Sequence, residues 1–479
     1  MLKRSLVLML LGALSGSGCT PPIGTDPFPR ERCEALPAAL RERIDPFVTE
    51  RMRQGHIPGL SLVILQGGQP VCLKGYGLAD EAENRRMTAK TQVSIGSTTK
   101  AMTALALMQQ VEAGAVDLEA PVTRYLPWFR TADGLQEQIL VKHLLTHTSG
   151  LPMSYFWDGS QDDGALERRA RSLAGVRLLF TPGQGEVYAN DGFALVGLIV
   201  QTVAGKPFAR HMADSVFTPL GMSHTRLGSV SAEAPDLAEG YVWTRGQLHP
   251  LSPPWSIAHE PAGAATYTSA EDVARYFSAL LAGGEGPGGR VLSAEGVERM
   301  WQPLVIPTSG MGWVLSPQFG RRMVSHGGST INSSSMFLLF PSEGTAVAVL
   351  SNLKTRVSEE VALGVAAMLF GDEPAPASPS KDRAPSTFVP DTGVWRDYVG
   401  SFDTAIGPVS IAMDEGRLWA TFGMAQPEIR GELEAYGDNE FIERDDFGLL
   451  EGTKVSFQRE PDGGLRLLFD GQSIGKRVP

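Results

Sequence analysis

The segment Ile95-Gly96-Ser97-Thr98-Thr99-Lys100 is the stretch on which the fold assignment of this 479-residue chain depends. It runs directly into Ala101–Val111, whose dense apolar spacing, ended by Gly114, predicts a helix. Residues three apart lie on one helical face, so the Ser97 hydroxyl and the Lys100 amine can meet. A serine hydroxyl needs a base beside it, and a lysine shielded from water loses its proton more readily. The segment therefore predicts a nucleophile and the group that activates it.

A second motif, Tyr188-Ala189-Asn190, lies in a predicted loop before the predicted helix Phe193–Val203. A phenol can relay a proton, and an amide can orient the lysine or a substrate carbonyl. Taken alone, a loop tyrosine that only packs its ring is the simpler interpretation. The motif gains weight only in combination with the serine and the lysine.

A third motif, His326-Gly327-Gly328, follows the strand-like run Met323–Ser325. Glycines let a backbone approach a ligand closely. The N–H of Ser329 is then a candidate oxyanion donor, together with the backbone N–H groups at the helix start near Ser97. His326 is a candidate partner for a substrate carboxylate or for the phenol proton, although a histidine at a strand end is also often purely structural.

The order and separation of these motifs resemble the serine β-lactamase and penicillin-binding protein superfamily, especially its class C-like branch. That branch includes D-Ala-D-Ala carboxypeptidases, D-aminopeptidases and esterases. The resemblance covers about Ile57 to Leu369. Besides the nucleophile segment, it includes Ile57-Pro58-Gly59, Lys74-Gly75-Tyr76-Gly77, His143-Leu144-Leu145-Thr146-His147-Thr148-Ser149-Gly150-Leu151-Pro152, Pro219-Leu220-Gly221-Met222 and Pro261-Ala262-Gly263.

The resemblance implies a role for each motif residue. Ser97 attacks a carbonyl and forms an acyl-enzyme, Lys100 takes or shares its proton, and Tyr188 assists. Asn190 positions Lys100 and the substrate, and Ser329 supplies its backbone N–H. The acylation base is disputed among related enzymes, so it stays open between Lys100 and Tyr188.

One departure from the class C pattern bears on the substrate. Class C β-lactamases have Lys-Thr-Gly where this chain has His326-Gly327-Gly328, so a fixed ammonium for the drug's carboxylate is missing. We therefore expect a serine hydrolase that acts through a Ser97 acyl-enzyme on an ester or a D-amino-acid-type peptide, with Asn190, His326, Gly328 and Ser329 binding the substrate. The alternatives are a class C-like β-lactamase and a non-catalytic penicillin-binding-like scaffold.

The expected fold class is α/β. Strand-like runs occur near both ends of the region that resembles the family, with helices between them. The early runs are Leu60–Leu65 and Val71–Tyr76, and the late runs are Gly312–Leu315, Met336–Phe340 and Ala346–Leu350. This pattern predicts a β-lactamase-like sandwich, in which an antiparallel sheet is flanked by helices and carries a helical subdomain. The predicted hydrolase domain spans residues 34–370, and a Pro- and Ser-rich linker spans 371–391.

Residues 392–479 form a separate predicted all-β domain. Short strand-like runs are split there by Gly, Asp and Asn, as in a barrel or sandwich. They are Val409–Met413, Leu418–Phe422, Phe441–Glu443, Val455–Gln458 and Leu465–Phe469. The segment resembles the lipocalin-like domain often appended to such hydrolases. Its expected role is to cover the cleft or to assist assembly, with a passive module as the alternative.

The N-terminal residues 1–19 predict export. Lys3 and Arg4 precede an apolar run, Leu6–Leu14, that is too short to span a bilayer. Small residues then lead to Cys19, which resembles the lipidated cysteine of a bacterial lipoprotein signal, although Gly16 stands where such signals usually have Leu. A plain cleaved signal peptide is the alternative. Residues 20–33 read as a Pro-rich tether, and the protein is expected to be periplasmic or membrane-anchored through Cys19.

Composition and the remaining motifs narrow the expected partners. The net charge is −11 with no basic block, which argues against nucleic-acid binding. His143 and His147 are four apart like zinc ligands, but Leu144 replaces the glutamate that the metalloprotease pattern needs. We expect no cofactor and a small-molecule or peptide substrate. Cys33 and Cys72 are either a disulfide or two unrelated thiols.

Overall fold

A computed structural model gives the structure of the protein for most of its length. It describes residues 33–153, 162, 164–228, 236–244, 247–251, 262–263, 265–377, 388–404, 407–422, 429–445, 453–469 and 472–478. The predicted signal segment, Cys19, nearly all of the predicted tether and residues 378–387 of the predicted linker lie outside these ranges. Those predictions stay predictions.

Seven antiparallel strands form the main sheet, in the order β4-β5-β6-β7-β1-β2-β3. The strands from the two ends of the domain meet in the middle, where Ile64 pairs with Val347. This confirms the prediction that strands from both ends of the hydrolase domain form one antiparallel sheet. The strand bounds are β1 Gly59–Gln66, β2 Gln69–Asp80, β3 Arg85–Arg86, β4 Val314–Gln318, β5 Arg321–Ser329, β6 Ser334–Phe340 and β7 Thr345–Ser351.

Helices cover both faces of this sheet, which is why its central strands read as continuous apolar runs rather than as alternating ones. On β1, Val63 and Leu65 face one buried core, whereas Leu62 and Ile64 face the other. The described helices are α1 Ala38–Gln54, α2 Thr99–Glu112, α3 Val141–Leu145, α4 Ala165–Ser172, α5 Asn190–Ala204, α6 Phe208–Met212, α7 Ala270–Leu281, α8 Ala294–Met300 and α9 Val357–Phe370.

The two cores divide the helices between them. Helices α1 and α9 pack on the face of Leu62 through side chains such as Val48 and Val361. Helices α2, α5 and α7 pack on the opposite face, in the larger core. Helix α2, which follows Ser97, is therefore buried between the sheet and the helical subdomain. This burial keeps Lys100 away from water.

Short strands complete the domain. Val93–Ser94, Thr266–Thr268 and Arg226–Leu227 form a small antiparallel sheet, and Tyr241–Thr244 pairs with Gln247–Pro250. Glu285–Gly286 pairs with Gly289–Arg290, so the Gly-rich run at 283–289 is a tight hairpin.

The C-terminal domain is a closed eight-stranded barrel, which confirms the predicted separate all-β domain. Phe402, Phe422, Phe441 and Phe457 are buried in its core. The strand bounds are β8 Gly400–Thr404, β9 Gly407–Asp414, β10 Arg417–Phe422, β11 Ile429–Ala435, β12 Glu440–Asp445, β13 Lys454–Arg459, β14 Leu465–Phe469 and β15 Gln472–Arg477. The predicted runs correspond to five of these strands.

A disulfide joins Cys33, just before α1, to Cys72 on β2. Of the two alternatives left open by the sequence, the structure therefore has the bonded pair. Within the described ranges, no single helix has the length and apolar character of a membrane span. The helical segments Asn190–Ala204 and Phe208–Phe217 meet that criterion only together, across a bend of 75°.

Candidate active site

Ser97 lies in a short 3-10 turn, Gly96–Thr98, that leads into α2. Gly96 has a left-handed backbone (φ +54°), and a Cβ there would come within 2.6 Å of the Ser329 backbone. Only glycine fits this close approach. The Thr98 hydroxyl donates to the Ile95 carbonyl at 2.8 Å, which fixes the turn from its other side. Ser97, the predicted nucleophile, is therefore held in a turn that packs against the end of β5.

Lys100 is completely buried, and its amine contacts oxygen atoms of Ser97, Asn190 and Gly263. The amine donates to Asn190 Oδ1 and to the Gly263 carbonyl, both at 2.7 Å, and it lies 3.1 Å from Ser97 Oγ. The two carbonyl oxygens can only accept. A neutral amine has two protons for them and a lone pair for the Ser97 hydroxyl. The arrangement thus matches a lysine that withdraws a proton from the serine.

Tyr188 and Asn190 approach Lys100 from the helical subdomain. The Lys100 amine lies 4.8 Å from the centre of the Tyr188 ring. Helix α5 begins at Asn190 rather than at Phe193, so the expectation that Asn190 lies in a loop is wrong. Asp191, the next residue, is 1% exposed and makes a bidentate ion pair with Arg169 of α4 at 2.8 and 2.9 Å. This pair anchors the start of α5 and hence the Asn190 amide.

The edge of β5 forms the opposite wall. The strand continues through Ser329 instead of ending near Ser325. Thr330 donates its N–H to Ser333, so the neighbouring pair Ser329–Ser334 is of the non-hydrogen-bonded type and the Ser329 N–H points away from β6. Pairing with β4 stops at Ser325. The Ser329 N–H therefore lies beside the Ser97 turn, the place that the predicted oxyanion donor would occupy.

Gly328 lines the cleft, but another contact explains why it is glycine. A Cβ at this position would lie 1.9 Å from the Ile95 carbonyl oxygen and 2.3 Å from Ser335 Oγ. The close approach that glycine permits is thus between β5 and the segment that precedes Ser97. The sequence predicted that the glycines let the backbone approach a ligand. The contact at Gly328 is instead with protein atoms, those of Ile95 and Ser335.

His326 is buried beside Tyr188, with 6.4 Å between the ring centres. Its Nδ1 donates to the Gly327 carbonyl at 2.6 Å, which leaves Nε2 as the unprotonated nitrogen of the neutral ring. Burial lowers the pKa of His326 from 6.5 to about 4. At neutral pH the ring is therefore uncharged and offers no fixed cation to a substrate carboxylate.

This shift predicts a loss of stability in mild acid. Between pH 6.5 and pH 4 the unfolded chain binds a proton at His326 that the folded protein excludes, so stability falls as the pH is lowered through this window. One group shifted this far contributes roughly 3 kcal/mol. Urea unfolding across the window should show a shallower fall for His326→Gln than for the wild type. Equal slopes for the two proteins would contradict the shift.

These groups meet in one cleft of about 530 Å³, whose lining includes Ser97, Tyr188, Asn190, His326 and Ser329. Much of the remaining wall is apolar, with Leu145, Trp313, Val314, Ile331 and Met336. Two cations, Lys354 and Arg356, and two carboxylates, Glu186 and Glu359, also line it. The cleft thus presents charges of both signs rather than a field of one sign.

Two residues of the site had no predicted functional role. Gly263 supplies the second acceptor for Lys100 through its carbonyl, and a backbone carbonyl has no side-chain signature that the sequence could show. His147 lies with its ring 4.2 Å from that of Tyr188, and its Nδ1 accepts the Ala189 N–H at 3.2 Å.

His143, the other histidine of the zinc-like spacing, accepts the Leu140 N–H through its Nδ1. Within the described part of the chain, no group of three His, Cys, Asp or Glu residues is placed to hold a metal ion.

The fold and the site define a class: an antiparallel sheet with a helical insertion that presents a Ser-x-x-Lys pair at the start of a buried helix. The chain belongs to the Beta-lactamase family, whose sequence profile matches residues 44–369. The resemblance seen in the motifs is thereby confirmed.

Individual relatives agree with this assignment. The chain is 28% identical over 323 residues to Protein flp of Staphylococcus aureus. The matched region covers 66% of this chain and 64% of the relative. It is 32% identical over 286 residues to Esterase EstB of Burkholderia gladioli. This match covers 51% of this chain and 71% of the esterase. The octameric penicillin-binding protein homologue from Pyrococcus abyssi has the same fold, with a TM-score of 0.61 at 23% identity over 91% of this chain and 100% of that chain.

Proposed function

We propose that this protein is a serine hydrolase that cleaves carboxylic esters or peptides through an acyl-enzyme on Ser97. The observation that carries the proposal is the 3.1 Å contact between Ser97 Oγ and the buried Lys100 amine, in a cleft that is open to a ligand. Nucleophile and base within hydrogen-bond reach, with the base held by a third group, are the signature of an activated nucleophile. Asn190 is that third group.

The proposed reaction has two halves. Ser97 Oγ bonds to the substrate carbonyl carbon while its proton passes to Lys100, and the carbonyl oxygen becomes an oxyanion that the N–H groups of Ser97 and Ser329 stabilise. Collapse breaks the bond to the leaving alcohol or amine, which takes the proton. Water then attacks the Ser97 ester, and the released acid and the free hydroxyl complete the cycle. Tyr188, beside the same amine, is proposed to share the proton transfers.

His326 and the apolar part of the cleft favour neutral esters over β-lactams, while Lys354 and Arg356 elsewhere in the lining are its cations. A β-lactam drug carries a carboxylate, and the buried, uncharged His326 stands where class C β-lactamases place a lysine. The apolar wall near Trp313 and Val314 suits an uncharged organic substrate instead. The likeness to a protein named Esterase EstB supports the same choice.

A peptide substrate is the second candidate, and the backbone of β5 favours it. Gly327 and Ser329 both belong to non-hydrogen-bonded pairs with β6, so their N–H groups and the Ser329 carbonyl point to the side that β4 leaves uncovered. The Gly327 carbonyl already accepts a hydrogen bond from His326 Nδ1. An extended peptide can add to such an edge as an extra strand.

A substrate panel tests the proposal. We expect p-nitrophenyl butyrate to give a burst of product and a mass increase on Ser97 equal to one butyryl group, with faster turnover than nitrocefin or a D-Ala-D-Ala peptide. The Ser97→Ala variant serves as the matched blank for each substrate. Faster turnover of nitrocefin would assign the chain to the β-lactamases. Absence of both burst and mass increase with every substrate would favour a non-catalytic scaffold.

A further inference from the structure

His147 holds a conformation that its side chain disfavours. Its φ is +57°, in the left-handed region that residues other than glycine rarely adopt. Such a conformation costs free energy and persists only where the surroundings enforce it. The residue is also buried, with 7% of its surface exposed, although it lines the cleft. A strained, buried histidine in the cleft wall is expected to have a specific structural role, which its contacts indicate.

The contacts of His147 bracket Tyr188 along the chain. The His147 carbonyl accepts the Val187 N–H at 3.0 Å, and its Nδ1 accepts the Ala189 N–H at 3.2 Å. Between these two bonds, the imidazole packs against the phenol ring, with 4.2 Å between the ring centres and 32° between the planes. The residues before and after Tyr188 and its ring are thus all fixed by one side chain and its own backbone.

The accepting role of Nδ1 requires the neutral ring, with its proton on Nε2. The surroundings favour that form, because burial holds the pKa of His147 well below its usual range. The protonation state that the Ala189 bond needs is therefore the one present at neutral pH. His326 has the opposite tautomer, with Nδ1 donating.

We infer that His147 is a positioning residue for Tyr188 and sets the phenol against the Lys100 amine. This inference rests on the proposed hydrolase function. Misplacement of a reacting group by about 1 Å costs on the order of 10²-fold in rate, so loss of the bracket should lower kcat rather than raise KM. The left-handed backbone explains why the segment bends back at this residue and brings both its carbonyl and its ring to the same short loop.

Two substitutions at one position test the inference. Asparagine tolerates the left-handed region, and its amide oxygen can replace Nδ1 as acceptor, whereas alanine removes the acceptor. We expect His147→Ala to lower kcat for p-nitrophenyl butyrate by about 10²-fold with little change in KM. His147→Asn should restore most of that loss. Thermal unfolding of both variants reports whether they are folded.

A double-mutant cycle with Tyr188→Phe separates positioning from general stabilisation. If His147 acts through the phenol, His147→Ala should have little further effect on kcat once the phenol is gone. An equal fold loss in the two backgrounds would overturn the inference. Acylation of the wild type by a fluorophosphonate is measured first. A wild type that is not acylated would refute the proposed function, whereas unchanged acylation of folded His147→Ala would refute the positioning role alone.

Discussion

Replacement of Ser97 by alanine is expected to lower kcat for p-nitrophenyl butyrate by on the order of 10⁵ to 10⁶, as loss of a nucleophile does in other serine hydrolases. The change removes the oxygen that lies 3.1 Å from the Lys100 amine and leaves the rest of the turn intact. Gly96 and Thr98, not Ser97, make the contacts that wedge the turn against β5 and β6. The variant should therefore fold like the wild type.

The control for this prediction is Ser329→Ala. The Ser329 hydroxyl donates to the Thr330 carbonyl, and the group proposed to act in catalysis is the backbone N–H, which alanine keeps. Its activity should stay close to that of the wild type. Labelling by a fluorophosphonate, followed by intact-mass analysis, checks both variants. Labelling of Ser97→Ala at the wild-type rate would place the nucleophile elsewhere.

The sequence predicted the local part of this site better than the long-range part. Ser97 and Lys100 are three residues apart, so helical geometry alone brings them together, and the structure has them in contact. Tyr188 and His326 lie far away along the chain. No periodicity or spacing indicates that α5 and β5 converge on one helix start. Only the resemblance in motif order placed these residues in one cleft.

Element boundaries were wrong where tertiary partners decide them. Asn190 belongs to α5 because Arg169 neutralises and anchors the buried Asp191 in its first turn, and no local pattern shows this partner. Strand β5 extends through His326 and Ser329 because β6 pairs with it residue by residue, despite two glycines. Tertiary pairing overrides local propensity in both places.

The sequence predicted an all-β C-terminal domain and five of its strands, but not the other three strands of the eight-stranded barrel. The five predicted runs are rich in apolar residues, whereas β8, β11 and β15 contain glycine and charged or polar residues. Their pairing is imposed by neighbours, since β8 and β15 close the barrel by pairing with each other. Closure leaves no free edge, which lets weak strand formers take part.

Replacement of Lys100 by methionine is the second change for which we expect a large effect, a fall in kcat of about 10² to 10⁴-fold, the range that general bases contribute. Methionine fills a similar volume but cannot take the Ser97 proton. It also leaves the carbonyl oxygens of Asn190 and Gly263 without their donor. Lys90→Met, a change at an exposed lysine, is the matched control and should leave kcat unchanged.

The pH dependence of acylation distinguishes a base from a merely structural lysine. In Lys100→Met, the Ser97 proton must leave to solvent, so the acylation rate should rise steadily with pH as hydroxide replaces the missing amine. The wild type, with its own base 3.1 Å from Ser97 Oγ, should level off instead. Stopped-flow acylation by p-nitrophenyl butyrate measures both profiles. A variant with the wild-type profile at a uniformly lower rate would show that Lys100 holds Asn190 and Gly263 in place while another group, with Tyr188 the first candidate, takes the proton.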